Sequence, residues 1–594
     1  MLSSRRNSIR RGTVYIAVLG TALVISAMAL SAIALQRIQN RMLAASGDIR
    51  QAQLNAEAAI ELGLLDMKQN ANWRSSHSSG RWFTSRTTGV GACSLDVVDP
   101  LDADLADDPS EPFIMTGIGL SGKAEQRVRL TVDQRTRPLS CLRSAIAAGD
   151  AIGVTGSVLR ATNSGLVSAN STSASSSTVS GKVEAVSVSG STYVGTTTQI
   201  DPSQRPQMPD WSTVFDYYLA NGTEISIINV PQTTPNLGRN VGFEIGGSPP
   251  LHWTGAPPNV PTATITQSTA AVRSGTYSLR VSSRTEWWSG AAQYIDHFVK
   301  PNQQYNIEAW LYLPGSTPGA YYFTIYTKGT GSSSVNIDSG GTTFVPIGTW
   351  TRLSGTVTAQ SWSGALEYAF VKIASSGSGT ATFHIDDFDV REATSGRFIY
   401  RQALGPGVNP FFPYTTNAQG IYWINCAGNK LIIERSRIRG TLLLLNPGSG
   451  SCIGAGPIHW SPAVVGYPAL MVRADTATDA DLTIAATNRM LSETENGVNY
   501  NPPGASHEDL GQDVDTNDIY PSEIQGLVVV GDDLTAQNNT LIRGQVVVGD
   551  DLSMSGGSLE VVYRPDSLLT PPPGFRASPA YVPRPSSVQK TVVP

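Results

Sequence analysis

Ile524-Gln-Gly-Leu-Val-Val-Val-Gly-Asp-Asp-Leu534 and Ile542-Arg-Gly-Gln-Val-Val-Val-Gly-Asp-Asp-Leu552 are two copies of one pattern, offset by 18 residues. Each is a β-branched run closed by a Gly-Asp-Asp turn. A repeat this short suggests stacked coils of a parallel β-helix, in which each coil buries its apolar side only against its neighbours. Ile438-Arg-Gly-Thr-Leu-Leu-Leu-Leu445 is a partial echo, so residues 395–570 are expected to be solenoid-like. Further upstream, residues 148–236 open with short valine runs separated by Ser and Gly (VSANSTSASSSTVSGKVEAVSVSGSTYVG). Such a stretch fits a flexible linker or the other flank of the same solenoid. The second reading is preferred because the C-terminal region offers a partner, and it makes residues 237–394 an insertion. The segment PSQRPQMP, residues 202–209, reads as a connector.

The chain has 594 residues, which predicts two to four domains. Only 15% of residues are charged, with 57 Gly and 36 Pro, a mix that suits β-rich extracellular proteins with many turns. The net charge is -5, and no basic stripe follows the first fifty residues, which argues against nucleic acid as a partner. No H-E-x-x-H, G-x-S-x-G or phosphate loop is present, and the six histidines are scattered. The pairs Asp532/Asp533 and Asp550/Asp551 are the one invitation to general acid and base chemistry. They recur at the repeat period in turns, so they read as structural, and His507-Glu508-Asp509 reads as a solvated loop. The chain is therefore expected not to be an enzyme. The alternatives are a membrane-tethered polysaccharide-degrading β-helix hydrolase or lyase, and a pure scaffold. Four cysteines, Cys93, Cys141, Cys426 and Cys452, form no C-x-x-C and fall into two local pairs. Two disulfides formed in an oxidising compartment are expected, with three connectivities open.

The N-terminus carries Arg5, Arg6, Arg10 and Arg11, and residues 13–35 then hold no charge. As a helix at about 1.5 Å per residue, that stretch exceeds the hydrocarbon thickness of a bilayer. The basic flank places the N-terminus in the cytoplasm and the bulk outside, a bias that Arg37, Arg41 and Arg50 weaken. No proline occurs between Thr13 and Trp73, and QAQLNAEAAIELGLLDMKQ (residues 51–69) is rich in helix formers. One continuous helix of about 55 to 60 residues is expected, spanning residues 13–73. Residues 74–147 then read as a small β region, with a strand at 126–132. The acidic loop 99–108 reads as a solvated loop, with Ca²⁺ as the alternative. The Pro-rich tail, residues 571–594, is expected to be extended or disordered.

Basic residues, Arg11-Gly12, an uncharged helix and Asn55-Ala-Glu-Ala-Ala-Ile-Glu61 together resemble type IV minor pilins and the atypical pseudopilins of type II secretion. The resemblance implies a leader of residues 1–12, cleavage after Gly12, Thr13 as the mature start, and pilus or pseudopilus subunits as partners. The sequence departs from typical pilins at the fifth mature position, where Ala17 replaces Glu. An uncleaved signal anchor is the plainer alternative.

Residues 237–394 differ in composition. They hold Trp253, Trp287, Trp288, Trp310, Trp350 and Trp362 and no cysteine. Strands are expected at 278–282, 305–312, 321–326, 351–358, 368–373 and 382–390, a pattern of sandwich or jelly-roll type. Six pieces occur in order: Asn240-Val-Gly-Phe-Glu244 with Trp253; Ser274-Gly-Thr-Tyr-Ser-Leu-Arg-Val281; Arg284 with Trp287-Trp288; Tyr305-Asn-Ile-Glu-Ala-Trp310; Trp350-Thr-Arg-Leu-Ser-Gly355; and Phe383-His-Ile-Asp-Asp-Phe-Asp-Val390. Together they resemble carbohydrate-binding modules of families 4, 9 and 22. The resemblance implies a structural Ca²⁺ held by Glu244 with Asp386 or Asp387, backbone carbonyls completing its shell. It also implies a glycan cleft using Arg284 and Trp287 or Trp288, only one tryptophan reaching it because neighbours on a strand face opposite ways. Tyr322, Tyr326 and Glu308 join the candidates by alternation. The whole chain thus reads as mainly β with one long N-terminal α-helix, a jelly-roll module and a parallel β-solenoid. Its expected role is that of a single-pass inner-membrane or pilus-assembled surface protein, displaying a glycan-binding module for adhesion or envelope assembly.

Overall fold

The computed structural model describes residues 10–70, 72–106, 111–135, 137–190, 192–315, 317–377, 379–473, 482–505, 511–577 and 580–593. His507-Glu508-Asp509 lies outside them. The chain divides into two compact units, Met1–Arg137 with Ala577–Pro594, and Pro138–Arg576.

In the first unit one helix runs from Arg10 to Gln69, so the Gly12–Thr13 bond is helical. Its two halves differ in what they cover. Val14, Ile16, Leu19, Leu23, Ile25, Leu30 and Leu35 are all exposed, and an 18-residue window there has a mean hydropathy of 2.3 with none of it buried. That helix is long and apolar enough to cross a membrane. In the C-terminal half, Ala52, Ala56, Ala59, Ile60 and Met67 recur at helical spacing and are buried. They pack on an antiparallel sheet of Gly80–Thr87, Ala92–Val98, Phe113–Ser121 and Ala124–Arg135. Small residues on both sides bring the helix backbone onto the sheet: a Cβ on Gly119 would lie 1.9 Å from the Ala52 carbonyl oxygen. Asn55 fastens the contact by donating to the Leu120 and Val90 carbonyls, at 2.9 and 3.1 Å.

The Pro-rich tail is extended but also paired, which the sequence reading did not anticipate. Ala580–Pro583 and Gln589–Val593 both add to the open edge of Ala124–Arg135. Pro583 ends the first of these strands and Pro585 falls in the turn between them, so neither proline sits mid-strand. Trp73 Nε1 donates to the Tyr581 hydroxyl at 2.6 Å, tying the tail to the end of the helix region.

The second unit is built on a parallel sheet assembly of 24 strands that coils on itself. The repeat stacks in register, Ile524 on Ile542 through Val530 on Val548. The next layer is not the next residue in sequence. Val546, Val547 and Val548 pair with Ile146, Ala147 and Ala148, so the last coil sits on the first. Ala147-Ala148-Gly149-Asp150 is therefore a degenerate third copy of the turn motif. The glycines stack: a Cβ on Gly149 would lie 2.0 Å from the Gly549 oxygen, and one on Gly549 would lie 2.1 Å from the Gly531 oxygen. From this junction the chain winds outward through Leu166–Ser175 and Lys182–Gly190. Thr223–Glu224 then pairs at the opposite end with Ile421–Asn425, and the chain winds back. The Ser/Thr/Gly-rich segment thus forms coils, its valines and alanines filling the interior with Leu442, Leu470, Val528 and Val546.

The expected disulfides are absent, since all four cysteines are free thiols. For Cys426 and Cys452 the reason is alternation. Cys426 belongs to the coil interior, as does Ile453, so Cys452 beside it faces outward. Burial pushes the Cys141, Cys426 and Cys452 thiols up to about 12.

Inserted in the solenoid is a sandwich of two antiparallel sheets. One has the order Trp253–Thr254, Ala291–Tyr294, Leu366–Ser376, Gly319–Gly329, Val335–Asp338, with Thr343–Val345 also paired to Gly319–Gly329. The other has the order Thr264–Ser268, Ser278–Ser282, Phe383–Glu392, Gln304–Tyr312, Thr351–Thr358. Phe243, Leu279, Tyr305, Phe323, Val371 and Phe383 fill the space between them. That core continues into Phe398, Tyr400 and Ile432 of the solenoid wall. Beside it Lys300 pairs with Glu392 and with Glu434, each at 2.6 Å.

Candidate functional site

The first sheet of the sandwich has one face in the core and one face out. Phe323, Ile325, Val371 and Ile373 point in, so by strand alternation Tyr322, Thr324, Tyr326, Tyr368, Phe370 and Lys372 share the outer face. Ala292 and Tyr294 join them from the neighbouring strand. The aromatics form a ladder. Tyr326 stacks on Phe370 with centroids 4.7 Å apart, Tyr368 lies 5.8 Å from Phe370 on the adjacent stacked side, and Tyr294 meets it edge-on at 6.1 Å. Tyr294 remains 40% exposed.

The loop after Ser282 folds over this face. It is a turn, closed by Ser289 N–H donating to the Glu286 carbonyl at 3.0 Å, rather than a strand. Strand alternation consequently does not separate Trp287 from Trp288, and both tryptophans reach the same face, contrary to the sequence expectation. Trp287, 38% exposed, lines a shallow cavity of about 460 Å³ with Tyr322, Asp338, Thr342 and Ser376. Trp288 packs against the Tyr326–Phe370 cluster. Below it Lys372 Nζ lies 5.1 Å from the Trp288 ring and 5.0 Å from the Tyr326 ring, and donates to the Trp288 carbonyl and the Tyr326 hydroxyl at 3.1 and 3.3 Å. Burial pulls Lys372 down to about 8, against the opposing pull of Asp338. Burial also raises the Tyr322 phenol to about 12, keeping it a neutral hydrogen-bond donor.

Arg284 sits elsewhere than expected. It is buried, and its guanidinium donates to the Ser289, Ala381 and Trp287 carbonyls and to the Ser375 hydroxyl. Its role is to hold the tryptophan turn, because its donors already have partners within the protein. Glu308 is further from the expectation. It lies on Gln304–Tyr312 of the other sheet, where it is half-buried and paired with Arg352. The alternation that proposed it says which residues share a face of one strand, and nothing about which sheet that strand joins.

Glu244, Asp386 and Asp387 are drawn to one turn, residues 273–277. Glu244 Oε1 accepts from Thr276 and Tyr277 N–H at 2.9 and 3.1 Å. Asp386 Oδ2 accepts from Arg273 and Ser274 N–H at 2.8 and 3.1 Å, and Asp387 pairs with the Arg273 guanidinium and the Ser274 hydroxyl. Arg273 in turn lies 3.8 Å from the Trp310 ring. In this arrangement the set does not fit a calcium ion, because a guanidinium and main-chain donors occupy the oxygens it requires. The same turn links the two ends of the sandwich directly.

The face supplies the open rings of Trp287 and Tyr294 with the Tyr322 and Asp338 polar groups beside Trp287, braced from beneath by the buried Lys372, which suits a ligand with an apolar face and a rim of hydroxyls. Sequence reasoning named Tyr322, Tyr326 and the two tryptophans, which the fold brings to this face, and did not name Lys372, Tyr368, Phe370, Tyr294 and Asp338, which share it or border it. Tyr368, Phe370 and Lys372 were signalled by period-two spacing on a strand already recognised.

Residues 235–375 match the family profile described as a carbohydrate binding domain. Endo-1,4-beta-xylanase A of Thermotoga neapolitana is 27% identical over 183 residues, 31% of this chain and 16% of that protein. Its counterpart in Thermotoga maritima is 28% identical over 131 residues, 22% of this chain and 12% of that protein. The chain thus spans less than a fifth of the length of these curated relatives. The xylan-binding CBM22-1 domain from Paenibacillus barcinonensis is 19% identical and similar over 28% of this chain and 99% of that domain, at a TM-score of 0.24. A cyclase from Fischerella sp. TAU is 15% identical over 27% of this chain and 98% of its own, at a TM-score of 0.22. Within the inserted sandwich, then, it is the segment 235–375 that matches a carbohydrate-binding family.

Proposed function

We propose that the chain is a membrane-anchored, pilin-like surface protein that displays a glycan-binding cleft, and that it acts by binding rather than by catalysis. The observation that carries the reading is the aromatic outer face of the module, with Trp287 and Tyr294 open to solvent and Tyr322, Tyr326 and Lys372 beneath. It lies within the segment matched by the carbohydrate-binding family. The relatives are xylanases, so a xylan-type β-linked polysaccharide is the ligand proposed first. The exposed apolar half of the long helix supports a role as anchor in a bilayer or filament core; the basic N-terminal flank favours the bulk lying outside the cytoplasm, and cleavage at Gly12–Thr13 with adhesion or envelope assembly as the purpose completes the proposal. The turn aspartates support a non-catalytic solenoid. Asp551 Oδ1 accepts from Ala151 N–H at 2.8 Å and Asp533 Oδ1 from Asp551 N–H at 2.9 Å, holding successive coils together.

The test is calorimetry of the full chain in detergent against soluble xylan and β-glucan, with reducing-sugar release followed in parallel. Binding in the micromolar to millimolar range, roughly -8 to -4 kcal/mol, without sugar release is expected. A folded chain that binds no glycan, or one that shortens the polymer, would sink the proposal.

A further inference from the structure

The loop joining Ala92–Val98 to Phe113–Ser121 contains a second carboxylate group, in the helical unit and far in sequence from the sandwich. Asp99, Asp102 and Glu111 each present a carboxylate oxygen, and all three oxygens lie within 4.8 Å of one another. Acidic loops are common without an ion, and Asp102 is exposed as such loops are. Asp99 is different. Only 2% of it is exposed, one oxygen accepts from Leu101 N–H at 2.8 Å, and among the described residues Oδ2 is buried without a hydrogen-bond partner. A buried carboxylate oxygen left without a donor is costly, and Asp99 carries one beside two further carboxylates. A cation between the three oxygens removes both difficulties at once.

We infer that Asp99, Asp102 and Glu111 form a calcium site. The donor set is oxygen only, which excludes the soft, nitrogen- and sulfur-preferring metals. Asp99 and Asp102 lie close together after the strand Ala92–Val98 and Glu111 lies just before Phe113–Ser121, a spacing that suits the variable shell of Ca²⁺ better than the strict octahedron of Mg²⁺. The ion closes the loop at its base, where Val98 pairs with Ile114. It acts together with two anchors already present: Leu105, buried in the core under the loop, and Arg74, which donates to the Leu105 and Glu111 carbonyls at 2.9 Å each. The acidic turns of the solenoid form groups of similar size, but there Asp533 and Asp551 accept main-chain N–H groups.

The experiment is equilibrium dialysis of the full chain in detergent against Ca²⁺ alone, with melting followed in calcium and in EDTA. The wild type is expected to bind one more Ca²⁺ per chain than Asp99→Asn or Asp102→Asn, and to melt lower in EDTA, while both variants melt alike with and without chelator. Asp102 is exposed, so its variant tests the site even where Asp99→Asn fails to fold. Glu244→Gln is expected to leave the stoichiometry unchanged, which separates this site from the sandwich carboxylates. Equal Ca²⁺ stoichiometry in wild type and Asp102→Asn would overturn the assignment. So would Mg²⁺ binding as tightly as Ca²⁺, or an Asp99→Asn chain more stable than wild type in both conditions.

Discussion

The solenoid and the sandwich it carries use the same alternation of side chains to opposite ends. In the coils, inward residues of stacked strands fill one continuous core, and the conspicuous polar residues at the turns bond to the next coil. In the sandwich, the inward residues do the same, but the outer face of one sheet carries Tyr326, Tyr368, Phe370 and Tyr294 over a buried lysine. A solvated sheet face is ordinarily polar. Here Phe370 and Tyr326 are buried beneath Trp288, while Tyr294 and Trp287 remain open to solvent at 40% and 38%. Repetition in this chain accounts for the coils, and a break from the expected polarity is what the proposed glycan face rests on.

That contrast can be broken in order of severity. Gly549→Val tests the coil stacking, because a Cβ there would lie 2.1 Å from the Gly531 oxygen. It is expected to cost more than about 4 kcal/mol and to abolish cooperative unfolding of the second unit, as read by denaturant titration. Stability close to wild type would mean the coils are not stacked in this register. Lys300→Met tests the seam between sandwich and solenoid. Burial opposes the Lys300 charge, yet Glu434 and Glu392 outweigh it and hold its pKa above the ordinary lysine value. Removing it leaves Glu392 without its ion-pair partner and Glu434 with Arg435 alone, 3.4 Å away, at an expected cost of about 3 kcal/mol, recovered in part when both glutamates become glutamine. This seam is also the reason to test binding on the whole chain.

Trp287→Ala tests the display face. Its ring is 38% exposed, so melting should hardly move while glycan affinity falls about tenfold, some 1.4 kcal/mol. A matched loss of stability would instead make this tryptophan part of the core. Lys372 sharpens the same face through pH. A lysine lowered from 10.5 to about 8 in the folded state costs stability while charged, and that cost is relieved as pH rises between those values. Wild type should therefore gain stability relative to Lys372→Met from about pH 8 upward, and a flat difference would show that the ammonium is not desolvated. Glu308→Ala is the smallest perturbation. It removes an exposed ion pair with Arg352 on the other sheet, for about 0.5 kcal/mol or less and no change in glycan binding.

Much of the architecture was legible before any coordinates. The 18-residue repeat announced the coils, and their register follows it residue for residue. The charge-free N-terminal stretch and the absence of proline announced the long helix, observed from Arg10 to Gln69. Within the site, Trp287, Trp288, Tyr322 and Tyr326 were named from motif and alternation. These are local signals: period, composition and the direction of successive side chains are properties of neighbours in sequence.

What remained was decided by partners distant in sequence. Val546 meets Ile146 across 400 residues, a register marked in the chain by the worn Ala147-Ala148-Gly149-Asp150 turn. The proline-rich tail became two strands because Ala124–Arg135 had an open edge to satisfy. Cys426 and Cys452 are close in sequence yet face opposite sides of one wall, and Arg284, a plausible ligand by motif, is held by four acceptors of its own fold. By itself the sequence determined which elements form and which side of each is apolar. Tertiary structure decided which edges meet, which sheet a face belongs to and which polar groups are already satisfied, because hydrogen bonds and burial are settled between surfaces that only folding brings together.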